Sequence, residues 1–171
     1  WDLRKAWGTG SQPFKSFLSR EARATGRPRG ISSLSVNATR SKLLASSTDH
    51  RIYMFDCTAP ERDPVTFSGH SNSSFYVKST FSPDGRFIVS GSSDYDVFVW
   101  DAEHPLLPPL KLHGHHGEVS DVAWCPTDMS KLASCSDDTT VRLWTLEREL
   151  AAGRRLALNK EPTGQAVAEA A

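Results

Sequence analysis

The sequence predicts an all-β chain built from repeated four-stranded units, and three observations carry that prediction. Three segments fit one template: Leu43 to Asp56, Phe87 to Asp101, and Leu132 to Trp144. Within them Asp49, Asp94 and Asp138 each stand six residues before an aromatic, Phe55, Trp100 and Trp144, and successive aspartates are 45 and 44 residues apart. The pairs Gly69-His70 and Gly114-His115 also recur 45 residues apart.

A period of ~40–45 residues with Gly-His and Trp-Asp marks is the signature of a WD-repeat β-propeller, four strands to a blade. The elements follow in order. Residues 1–5, with Trp1-Asp2, read as the end of a preceding blade, and 6–29 as a basic loop. Residues 30–56 form a first, degenerate repeat whose opening strand is Ile31 to Val36. Residues 63–101 form the second, with a strand from Phe75 to Phe81 and a turn, Ser82-Pro83-Asp84-Gly85, in which glycine supplies a positive φ. Residues 108–146 form the third, with a strand from Val119 to Trp124 and a longer turn from Cys125 to Lys131. Pro-rich loops, 59–64 and 104–109, separate the repeats. Short β-branched runs such as Val97-Phe98-Val99 suit buried strands. The tail, 147–171, is rich in alanine and charge without a core pattern, and is expected to be a frayed helix or disordered. Closed propellers need ~4–8 blades, normally about seven here, so three blades are an incomplete ring. The start at Trp1 reads as a cut inside a longer protein, and the open blade faces are expected to be sticky.

Each full repeat should carry a buried polar chain, because buried polar groups must be paired and a closed network holds a blade in register. The expected members are His70, Ser90, Asp94 and Trp100 in the second repeat, and His115, Ser134, Asp138 and Trp144 in the third. The first repeat keeps only Asp49, with Ala45 and Phe55 replacing serine and tryptophan, and should lean on apolar packing.

Other chemistries find little support. No run approaches the ~20 apolar residues of a membrane helix. Cys57, Cys125 and Cys135 form no CxxC pair or zinc spacing and read as reduced thiols. The triplets Asn37-Ala38-Thr39 and Asn72-Ser73-Ser74 match the glycosylation pattern, but nothing else points to secretion. The set Ser134, His115, Asp138 resembles a hydrolase triad only in composition; it recurs with the repeat and lacks a Gly-x-Ser-x-Gly elbow. His113, His115 and His116 have no carboxylate or cysteine at ligand spacing, so no metal is expected. Gly8-Thr9-Gly10 lacks the lysine of a phosphate loop, and no cofactor is implied. The formal charge is zero, yet residues 1–42 hold nine Lys or Arg against Asp2 and Glu21, a surplus of seven balanced by minus seven elsewhere. Such a stretch meets phosphate or an acidic partner, or is a solvated loop; no aromatic interleaving supports nucleic-acid reading.

Several runs go beyond the generic repeat. They are Asn72-Ser73-Ser74-Phe75-Tyr76-Val77-Lys78-Ser79, Ile52-Tyr53-Met54-Phe55, Val89-Ser90-Gly91-Ser92-Ser93-Asp94, Trp124-Cys125-Pro126-Thr127-Asp128 and Cys135-Ser136-Asp137-Asp138. Over residues 1 to about 146 the chain resembles the later blades of the denticleless family, WD-repeat substrate receptors of a cullin–RING ubiquitin ligase. The resemblance implies a nuclear, non-catalytic receptor. Such a receptor docks on the ligase's damage-specific DNA-binding adaptor and recruits proteins bound to the replication sliding clamp, for destruction in S phase and after DNA damage. It also implies that Trp1-Asp2-Leu3-Arg4 is a WDxR adaptor-binding motif, with Trp1 and Asp2 ending a strand and Arg4 offering its planar fork on the rim. The other repeats lack that arginine. Arg20, Arg23, Arg27 and Arg29 are candidates to touch substrate, clamp or DNA. The alternative reading is a generic WD-repeat interaction scaffold.

Overall fold

The computed structural model describes residues 29–148 and 156–158, with the single positions Ser16 and Gly26; for 147, 148 and 156–158 it describes backbone only. Among these residues the chain forms three four-stranded antiparallel sheets. The first is β1 (Ile31–Val36), β2 (Lys42–Ser47), β3 (Arg51–Asp56) and β4 (Val65–Ser68), in that order. The second is β5 (Ser79–Phe81), β6 (Phe87–Ser90), β7 (Val97–Asp101) and β8 (Leu110–Leu112). The third is β9 (Val119–Trp124), β10 (Lys131–Ser136), β11 (Val141–Arg148) and β12 (Leu156–Leu158). These are three blades of a WD-repeat propeller.

Blades and sequence repeats are offset by one strand. β4 lies in the repeat 63–101 yet pairs with β3, Arg51 opposite Ser68, and β8 lies in the repeat 108–146 yet pairs with β7, Val97 opposite Leu112. Each repeat therefore lends its first strand to close the blade before it, which ties neighbouring blades together. The third blade is closed from the tail. Leu146 faces Leu158 and Arg148 faces Leu156, so residues 156–158 are strand rather than the frayed helix or disorder the composition suggests.

Successive side chains of the middle blade's strands point to opposite faces, and both faces are buried, each in its own apolar cluster. Along β7, Phe98 and Trp100 join Leu44, Ile52, Met54, Phe67, Phe81 and Ile88 between the first two blades. Val97 and Val99 turn the other way and join Val119, Val122, Trp124, Leu132 and Leu146 between the second and third. A strand buried on both faces reads as a continuous apolar run, which is why Val97 to Trp100 shows no polar break. The flanks of the arc stay open: Leu34, Val36, Val141 and Leu143 are exposed.

The inner strands β1, β5 and β9 lie side by side. A seam of hydroxyls joins the first blade to β5, with Ser35 Oγ of β1 3.2 Å from Thr80 Oγ1, and Ser46 Oγ of β2 2.6 Å from Ser79 Oγ. Lys78 N–H donates to Ser120 O at 3.0 Å across the next seam. Gly91 makes that approach possible: a Cβ there would lie 2.0 Å from the Val119 carbonyl oxygen. The turn at Gly85 has the expected positive φ, 72°. The segment from Phe75 to Lys78, expected as strand, is loop; only Ser79–Phe81 enters the ladder. Its backbone bonds are isolated ones: Tyr76 N–H donates to Ser74 Oγ at 3.2 Å and Val77 O accepts from Ser32 Oγ at 3.0 Å.

Candidate functional site

The polar chain of the third repeat is complete. Trp144 Nε1–H donates to Ser134 Oγ at 2.8 Å, Ser134 Oγ lies 2.8 Å from His115 Nε2, and His115 Nδ1 lies 2.8 Å from Asp138 Oδ2. Donors and acceptors match with one imidazole proton, on Nδ1, so the chain runs indole to hydroxyl to imidazole to carboxylate. Burial pushes the Asp138 carboxyl up. The hydrogen bonds it accepts from Thr140 Oγ1, His116 N–H, His115 and Thr140 N–H outweigh that and hold it well below the usual carboxylate range. Thr140 is a member the repeat alignment does not single out; its hydroxyl locks Asp138 Oδ1 at 2.6 Å.

The second repeat carries the same four residue types but does not join them. His70 is 4% exposed, and neither ring nitrogen has a partner. Trp100 Nε1–H donates to Ser68 O at 3.0 Å, Ser90 Oγ donates to Gly91 O at 2.8 Å, and Asp94 lies exposed. The reason is local. Where Thr140 locks Asp138, the second repeat has Asp96, two residues after Asp94. A carboxylate cannot donate to Asp94 and repels it, and Asp96 pairs outward with His113 Nδ1 at 2.8 Å. His70 is left packed edge-on against Trp100, ring centroids 5.3 Å apart. Burial depresses its pKa to about 4; the charge of Asp94 works against this and His50 with it.

In the first repeat Asp49 is not left to apolar surroundings. Tyr53 Oη donates to its Oδ2 at 2.5 Å, both residues being buried. A tyrosine four residues on thus replaces the histidine, a substitution visible in the sequence only once the aspartate is known to need a donor.

Around these turns lies one continuous face. Ser71 N–H donates to Ser92 Oγ at 2.9 Å, Asn72 N–H to His50 Nδ1 at 2.9 Å, and Ser73 N–H to Ser93 Oγ at 3.2 Å. Glu118 accepts from Ser74 Oγ and Ser93 Oγ, each at 2.6 Å. Asn72 is fully buried, so that glycosylation triplet offers no accessible acceptor. The three cysteines are free thiols. His113 and His115 are each taken by an aspartate, so the three histidines do not converge on one point. Among the described residues, one other group, Asp101, Glu103 and His104, has donor atoms within 4.8 Å of one another. It is also an ordinary turn, with Asp101 accepting from Glu103 N–H at 2.9 Å and 3.0 Å from His104 Nδ1.

The WDxR residues Trp1, Asp2 and Arg4, and with them Arg20, Arg23 and Arg27, lie outside the described residues. Arg29 is exposed just before β1.

Comparison with known proteins agrees with this geometry. The family model "WD domain, G-beta repeat" matches residues 63–101 and 107–145. The chain is 48% identical over 153 residues to the Denticleless protein homolog of Danio rerio, covering 87% of this chain and 23% of that protein. To the Denticleless protein homolog of Homo sapiens it is 47% identical over 154 residues, 88% of this chain and 21% of that protein. To Protein lethal(2)denticleless of Drosophila melanogaster it is 36% identical over 123 residues, 71% of this chain and 16% of that protein. The chain thus spans about a fifth of the length of the curated relatives it matches.

Proposed function

The chain belongs to the denticleless family of WD-repeat proteins, and from that premise we propose that it is part of a non-catalytic substrate receptor of a cullin–RING ubiquitin ligase. The receptor docks on the damage-specific DNA-binding adaptor through Trp1, Asp2 and Arg4. It brings proteins bound to the replication sliding clamp to the ligase in the nucleus, in S phase and after DNA damage. It performs no chemistry itself; it supplies proximity.

The observation that carries the non-catalytic part is the fate of Ser134. Ser134 is 2% exposed, and its hydroxyl is engaged by both the Trp144 indole and His115. A nucleophile must reach a substrate carbonyl, and this oxygen reaches only its own blade. The Ser-His-Asp set therefore holds the fold. The receptor role rests on family membership and on the loops that the blades hold together on one face, the usual place for recognition on a rigid scaffold.

The test is to isolate the full-length protein from cells. Co-purification of adaptor and cullin, together with longer lifetimes of clamp-bound proteins after depletion, is the expected result. A protein that retains its WD-repeat partners but neither ligase subunit contradicts the receptor reading and leaves a general interaction scaffold.

A further inference from the structure

We draw no further inference here: the strongest candidate, the buried side-chain cluster at the junction of the first two blades in which both His70 ring nitrogens, Asp49 Oδ1 and Asn72 Oδ1 have no hydrogen-bond partner among the described residues, belongs to the polar chains already described, and nothing in the structure shows what ligand it would hold.

Discussion

Trp144 reaches His115 through a single oxygen: Ser134 Oγ stands 2.8 Å from the indole nitrogen and 2.8 Å from the imidazole. Ser134→Ala deletes that oxygen and leaves two buried ring nitrogens unpaired. Stability of the full propeller should fall by ~1–3 kcal/mol, seen as a lower denaturation midpoint with the slope unchanged. An unchanged midpoint would show that the chain is not what holds the third blade.

Asp138 and Asp94 occupy equivalent places in their repeats but differ in surroundings. Asp138→Ala removes the acceptor for His115, His116 and Thr140 and should cost ~1–3 kcal/mol. Asp94 is exposed, so Asp94→Ala should stay within ~0.5 kcal/mol. Equal losses from the two would mean that the second network closes in solution.

His70 makes stability depend on pH. Its folded pKa, about 4, lies below the unfolded value, so between the two the unfolded chain binds the extra proton. Stability is therefore full above the ordinary histidine range and falls as pH drops from roughly 6.5 towards 4, by on the order of 3 kcal/mol. His70→Phe should flatten that part of the profile, measured by denaturant melts across pH. A profile of the same slope in the variant would place the effect elsewhere.

Tyr53→Phe leaves Asp49 without its donor in a buried site. The loss should be ~1–3 kcal/mol, although only one oxygen atom is removed. A neutral result would mean that water satisfies the carboxylate.

Gly91→Ala drives a methyl group into the Val119 carbonyl, a backbone atom that cannot swing away. A loss of ~1–3 kcal/mol or more is expected. Gly26→Ala, with open space around it but a φ of 68°, should cost less in the same melt.

Much of this was legible in the repeat period. The aspartates, the Gly-His pairs and the strands Ile31–Val36 and Val119–Trp124 all stand where the spacing places them. What the period hides is whatever depends on a neighbour outside it. That the second network stays open turns on Asp96 replacing the threonine found at 140, one residue pair that a landmark alignment skips. The Asp49–Tyr53 bond uses a residue type foreign to the motif. Phe75 to Lys78 looks like strand because its residues favour strands, but its hydrogen bonds are scattered: Tyr76 N–H donates to Ser74 Oγ, Val77 O accepts from Ser32 Oγ, and Lys78 N–H donates to Ser120 O. The β-strand at 156–158 is short and lies among alanine and charge, so only its pairing with β11 reveals it.

The most direct test of the receptor account is adaptor binding by the full-length protein, wild type against Arg4→Ala. The account predicts that wild type binds, that Arg4→Ala melts alike, and that the variant loses the adaptor. Equal binding by both would remove Arg4 as the contact, and no binding by either would contradict the receptor role itself.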